Sequence, residues 1–312
     1  MSRNLANDSL KLVLAVMVIG LHANLFFDTS PVANQLFVNG ISRIAVPTFF
    51  VINGYYLSGT IKDKVGFTSW AKRIALGYAF WMAVYSPFYL PALGQTPTTI
   101  IYNLTRYSVF GYYHLWYLCG LLYAVALLFA LRNKSDKTLA NTALVLFLVG
   151  VVIQYYIFYT GIKLPYFVYR HFLFFAFPMV TAGYLIRKGY GSEISDAKVR
   201  NLLFAGFLLL LIEVCIAYIF RVDASGIDIF LSLLLIGPML FIVTNKIQKT
   251  VANDHLSKLS SAIYFLHPLS FWVGGTFFHV TTTMMNFLFA IAFCLVVYYP
   301  LFLLSKKLKF IL

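Results

Sequence analysis

The run Leu10–Phe27 reads LKLVLAVMVIGLHANLFF, apolar except for Lys11, His22 and Asn24. A helix that crosses a bilayer needs about 20 mostly apolar residues, so the run is long enough to span. It lacks the small-x-small cleavage pattern of a secretory signal and opens a series of similar runs, which identifies it as a first membrane span. Working outward, the sequence predicts spans at 10–27, 35–59, 73–92, 114–131, 139–160, 171–187, 201–220, 227–245, 259–279 and 284–304. Turn-forming residues fill the gaps: Asp28 to Pro31, Lys62 to Lys64, Pro91 to Pro97, Asn133 to Lys137, Gly189 to Asp196 and Asp223 to Gly226. No internal repeat or low-complexity segment interrupts the series.

Composition agrees with this reading. Of 312 residues 61% are hydrophobic and 11% charged, roughly half the charged share of a soluble domain. About ten spans use about 200 residues, so residues 1–312 are expected to form a single all-α polytopic bundle without a separate soluble domain. The net charge of +14 does not indicate nucleic acid, because Lys and Arg sit in short clusters between apolar runs and form no stripe. Cys119, Cys215 and Cys294 each lie alone in an apolar run, with neither the spacing nor the number of a metal or redox site; no metal site is expected.

The basic clusters fix the orientation. With ten spans, one side collects Arg3, Lys11, Lys62, Lys64, Lys72, Arg73, Arg132, Lys134, Lys137, Arg187, Lys188, Lys198, Arg200, Lys246, Lys249, Lys258, Lys306, Lys307 and Lys309. The opposite loops hold Arg106, Lys163, Arg170 and Arg221, and Arg43 falls inside the second span. By the positive-inside rule the rich side is cytoplasmic. A missed or false span would scramble every later loop, so the asymmetry predicts an even number of spans with both termini in the cytoplasm.

Ionisable groups in hydrocarbon cost about 2.5–3.5 kcal/mol on insertion scales and mark functional candidates. His22, Arg43 and His267 stand out. At about 1.5 Å per residue, His22 lies roughly 18 Å from the cytoplasmic start of its span and Arg43 roughly 12 Å from the opposite face. In a core about 30 Å thick the two share one level; His267 lies somewhat nearer the cytoplasm. Such a pair suits a cation holding an anionic or carbonyl group while an imidazole moves a proton. The alternative is a structural hydrogen bond that locks helices together. His114, in the run Tyr112-Tyr113-His114-Leu115-Trp116-Tyr117, and Arg170-His171 open the fourth and sixth spans on the external side. The aromatics around them read as an interfacial belt, whereas His114 and Arg170 are also placed to face an external opening. Lys72-Arg73 at the mouth of the third span either binds phosphate or anchors the span at anionic headgroups.

Four segments, in chain order, resemble the type 3 acyltransferase family, membrane enzymes that O-acylate bacterial surface glycans and other acceptors. Asp8-Ser9-Leu10-Lys11 with His22 eleven positions after Lys11 resembles the family's opening pattern. Ser42-Arg43-Ile44-Ala45-Val46-Pro47-Thr48-Phe49-Phe50, running into Asn53-Gly54-Tyr55, resembles its second-span signature. Tyr113-His114-Leu115-Trp116-Tyr117-Leu118 and Arg170 followed by Phe174-Phe175-Ala176-Phe177-Pro178 resemble its middle segments, and Ser261-Ala262-Ile263-Tyr264-Phe265-Leu266-His267-Pro268 its late helix. Two positions depart from the pattern: Lys11 stands where Arg is frequent, and Arg73, between Trp70 and Leu76, lacks the partner of the family's Arg-x-x-Arg pair.

The resemblance implies a ten-helix bundle that moves an acyl group, commonly acetyl, from cytoplasmic acetyl-CoA to a hydroxyl of a surface polysaccharide or lipid-linked sugar. No cofactor is permanently bound in this reading; membrane lipid surrounds the chain, and its home is the bacterial cytoplasmic (inner) membrane. His22 is implied as catalytic, a base on the acceptor hydroxyl or a carrier of the acyl group, with Lys11 and Asp8 supporting it. Arg43 is implied to hold the thioester carbonyl or the CoA chain. Lys72, Arg73, Asn53, Tyr55, His114, Trp116, Arg170 and His267 complete the candidate donor and substrate contacts. The rival readings are a transporter or flippase for a lipid-linked glycan, since charges at mid-depth also mark substrate pathways, and a membrane-bound sensor or accessory subunit.

Overall fold

A computed structural model describes residues 3–94, 96–162, 164–165, 168–220 and 227–312. Lys163, Arg221 and the expected turn from Asp223 to Gly226 lie outside the described residues. The chain forms helices α1 (Leu5–His22), α2 (Pro31–Phe37), α3 (Ala45–Leu57), α4 (Lys64–Val84), α5 (Ser86–Tyr89), α6 (Pro97–Phe110) and α7 (Trp116–Leu131). These are followed by α8 (Asp136–Thr160), α9 (Phe177–Leu185), α10 (Asp196–Ile219), α11 (Leu233–Lys246), α12 (His255–Phe277) and α13 (Thr283–Lys307). Two short strands, β1 (Arg3–Asn4) and β2 (Thr250–Val251), pair antiparallel with Arg3 opposite Val251.

Each predicted apolar stretch falls mainly on helix. Among the described residues, six segments are long and apolar enough to cross a membrane: Leu5–His22, Pro31–Leu57, Tyr113–Leu131, Asp136–Thr160, Asp196–Ile219 and Thr283–Lys307. The other four stretches fall on α4 and α12, which are long but more polar, and on α9 and α11, which are short. The chain is therefore a helical, multi-pass membrane protein.

Departures from the expected spans have local causes. The second span breaks at Gly40 into α2, a 3-10 turn over Ile41–Ile44, and α3; Pro47 lacks the N–H that would bond back one turn. Pro178 acts similarly in the sixth, where a π turn over Phe172–Ala176 precedes α9. The eighth starts late: residues 227–230 are non-helical, and α11 begins only at Leu233. Side chains of neighbouring helices satisfy that backbone. Gln154 Oε1 on α8 accepts from the amides of Asp228 and Ile229, both at 2.9 Å, and Glu213 on α10 accepts from Leu231 at 2.7 Å and Ser232 at 3.1 Å. Irregular backbone is tolerated inside a membrane bundle on such terms. Helix α6 was not anticipated: Thr96 caps it, Pro97 opens it, and none of its residues is buried.

Among the described residues two large apolar cores result, with a small third around Val199, Met239 and Ile242. One joins α3, α7, α8, α9 and α11 around Phe50, Phe147, Phe175 and Phe241; the other joins α1, α4, α12 and α13 around Ile19, Trp81 and Cys294. Helices α3 and α9 meet backbone to backbone: a Cβ at Gly54 would lie 2.0 Å from the Val180 carbonyl oxygen and one at Gly183 1.9 Å from that of Val51. Small residues at such crossings let backbones meet.

Candidate functional site

Between the two cores lies a cavity of about 830 Å³. Its wall on α1 is the stripe Asp8, Lys11, Ala15, Val18 and His22, whose spacings of three and four keep it on one helix face. The eleven positions from Lys11 to His22 are about three turns, roughly 16 Å of depth. A second stripe on α12, Ser257, Ser260 and Tyr264, faces the same space, and His267 continues it one turn further. The two helices run side by side in the same direction: Lys11 Nζ donates to Ser257 Oγ at 3.3 Å at one end, and the rings of His22 and His267 stack with centroids 5.0 Å apart at the other.

The mouth of the cavity is cationic. Arg3, Lys11, Arg73, Arg187 and Lys309 line it, against Asp8 as the one acidic side chain in the lining among the described residues. Asp8 is 2% exposed and fully engaged: the Arg3 guanidinium grips it with bonds of 2.8 and 3.0 Å, and Lys11 Nζ donates at 3.0 Å. Strand pairing of β1 with β2 brings Arg3 here, reinforced by Asn4 Nδ2 donating to the Ile247 carbonyl at 2.8 Å. Arg187 donates to the Tyr55 hydroxyl at 3.0 Å, and Asn245 donates to the same oxygen at 3.2 Å. Asn53 lies deeper and donates to Tyr117 Oη at 2.6 Å.

At the inner end three histidines meet. His22 Nδ1 shares a 3.0 Å hydrogen bond with the Tyr113 hydroxyl. His267 is fully buried, its Nδ1 bonded to the Ile263 carbonyl at 3.0 Å, and its ring lies 5.2 Å from that of His114. His114 is 3% exposed and lines the cavity with His22. His22, with one ring nitrogen hydrogen-bonded and its residue on the cavity wall, is placed for proton transfer. No group of three or more potential ligands holds metal geometry among the described residues.

Of the residues singled out from sequence, Asp8, Lys11, His22, Asn53, Tyr55, Arg73, His114 and Trp116 line this cavity. Arg43, Lys72, Arg170 and His267 do not; Lys72 is exposed. Arg43 is engaged elsewhere. Its guanidinium meets Asp228 at 2.5 Å, Arg170 meets the same carboxylate at 3.1 Å, and Asn39 accepts from Arg43 at 3.3 Å. Arg170 also lies over the Trp116 ring at 5.1 Å. Sequence reasoning missed Asp228, and with it Arg3, Arg187, Lys309 and the α12 serines. Asp228, Gln154 and Glu213 were open to detection as polar residues within apolar stretches; Arg3, Arg187 and Lys309 read only as topology signals.

A family model described as an acyltransferase domain matches residues 4–305. Among curated proteins, the chain is 24% identical over 285 residues to an "Amino-acid racemase" of Enterococcus faecalis, covering 84% of this chain and 40% of that protein. It is 26% identical over 297 residues to a "Serine/alanine racemase" of Enterococcus gallinarum, covering 88% of this chain and 42% of that protein. The chain thus spans about two-fifths of the length of these relatives. No solved structure matches it.

Proposed function

The chain belongs to the type 3 acyltransferase family, and from that premise we propose that it is an acyl-CoA-dependent O-acetyltransferase of the bacterial cytoplasmic membrane. In this reading it has ten spans, both termini face the cytoplasm, and the acceptor is a hydroxyl of a surface polysaccharide or lipid-linked sugar. The observation that carries the proposal is the cavity itself: five cations at one end and His22 at the other, about 16 Å apart along α1. Acetyl-CoA has that polarity, with phosphates at one end of a flexible arm and a thioester at the other. Arg3, Arg73 and Arg187 offer forked donors to phosphate, while the neutral lower walls, with Val18, Phe49 and Ile52, accept the arm.

His22 then acts as the base on the acceptor hydroxyl. As the hydroxyl oxygen adds to the thioester carbon, its proton passes to His22; when the carbon–sulfur bond breaks, the proton passes on to the leaving thiolate. Asp8 and Lys11 act at the mouth, where Asp8 fixes the positions of Arg3 and Lys11.

The names of the relatives favour a second acceptor class, a hydroxy amino acid such as serine, which also offers a hydroxyl. Transfer of radiolabelled acetyl from acetyl-CoA by detergent-purified protein, with glycan and amino-acid acceptors side by side, tests both. The expected result is label release by wild type and its loss in His22→Ala, with unchanged membrane insertion. Near-normal turnover by His22→Ala defeats the proposal, and transfer to serine but not to sugar selects the second acceptor.

A further inference from the structure

His114 stands on a 3-10 turn, Tyr113–Leu115, at the head of α7. It is 3% exposed, yet neither of its ring nitrogens has a hydrogen-bond partner among the described residues. The ring is clasped edge-on by Tyr85 at 5.0 Å and Tyr264 at 5.2 Å, so it is held by shape rather than by polar bonds. The turn that carries it is pinned and strained. Tyr264 Oη donates to the His114 carbonyl at 2.8 Å, Tyr113 adopts φ +46°, and Gly111 adopts φ +83° where a Cβ would lie 2.5 Å from the Trp116 amide. Native proteins rarely leave a buried donor unpaired, and strain of this kind concentrates at functional sites. An imidazole with unpaired nitrogens on the wall that also carries His22 is a hydrogen-bond donor waiting for a ligand oxygen.

We propose that His114 donates a hydrogen bond to the carbonyl oxygen of the acyl thioester and holds that oxygen when it becomes an oxyanion. The assignment rests on the acyl-donor reading above and deepens it. As the acceptor oxygen bonds to the carbonyl carbon, the carbon–oxygen π electrons move onto the carbonyl oxygen, where the neutral imidazole N–H meets them. They return as the carbon–sulfur bond breaks, and the thiolate leaves with the proton that His22 took from the acceptor. Arg43, implied for this role by resemblance, is turned to Asp228 and lies outside the cavity lining. Two histidines thus divide the work: His22 moves the proton and His114 holds the charge.

The test compares two unreactive analogues of acetyl-CoA: the ketone in which methylene replaces sulfur, which keeps the carbonyl, and the S-ethyl thioether, which lacks it. Titration calorimetry on the purified full chain is expected to show wild type binding the ketone about tenfold more tightly. His114→Ala is expected to bind both at the affinity of the thioether. His114→Gln keeps an N–H and is expected to recover part of the preference, and in turnover to show a smaller drop than the about 10²–10³-fold fall in kcat expected for His114→Ala, whose KM for acetyl-CoA is expected to rise by about the tenfold lost in binding. Equal binding of both analogues by wild type, or a preference that survives in both variants, overturns the role of His114 and leaves the donor reading standing. Binding of neither analogue by wild type overturns both.

Discussion

Asp228 carries more of this architecture than its place in the chain suggests. It sits in the non-helical stretch before α11, and its carboxylate takes both Arg43 and Arg170. Removing one member of a buried ion pair leaves the other charge stranded, which typically costs about 3–5 kcal/mol. Asp228→Asn, which takes the carboxylate charge from both guanidiniums, is therefore expected to lower the thermal unfolding midpoint of purified protein sharply, with lost activity tracking the lost folded fraction. Arg43→Met leaves Asp228 with Arg170 and is expected to lower the midpoint less. A variant that melts normally but turns over no donor would return Arg43 to the chemistry.

Among the helices, α1 and α12 set the reaction geometry because their cavity stripes run in parallel and end on stacked imidazoles. Their register is fixed at the mouth by Lys11 against Ser257 and by the strand pair that anchors the start of α1. The α3–α9 crossing supports this arrangement from behind. The Gly54 of the Asn53-Gly54-Tyr55 motif leaves no space for a methyl group beside Val180, and the obstacle is backbone, which cannot rotate away. Gly54→Ala is expected to cost at least the about 1–3 kcal/mol of an overpacked core, read as lost yield of monodisperse protein. Wild-type yield and melting would show that the crossing yields more readily than its geometry suggests. The pairing of Asn53 with Tyr117, across from this crossing, places the polar neighbour of Gly54 on the cavity side.

Across the whole molecule, much was legible in the sequence and what escaped did so for identifiable reasons. Helix positions were visible because bilayer thickness imposes a length on every apolar run. The Lys11 to His22 interval was readable as one helix face, because helical period alone determines it. The ion pair of Arg43 with Asp228 was not: depth along the bilayer locates a residue in one dimension, and this partner comes from a non-helical stretch that hydropathy reads as a span. The break before Leu233 was hidden for a related reason, since its backbone is satisfied by distant Gln154 and Glu213. The cationic mouth was hidden in plain view, because residues that orient a membrane protein and residues that hold phosphate are the same two amino acids.

What occupies the cavity between that mouth and His22 decides whether the protein takes a coenzyme A donor. The direct measurement is a structure of the protein determined with coenzyme A. Its phosphates are expected among Arg3, Arg73, Arg187 and Lys309 and its thiol beside His22 and His114. Coenzyme A bound elsewhere on the protein, with the cavity left to another molecule, would rule out the acyl-donor reading.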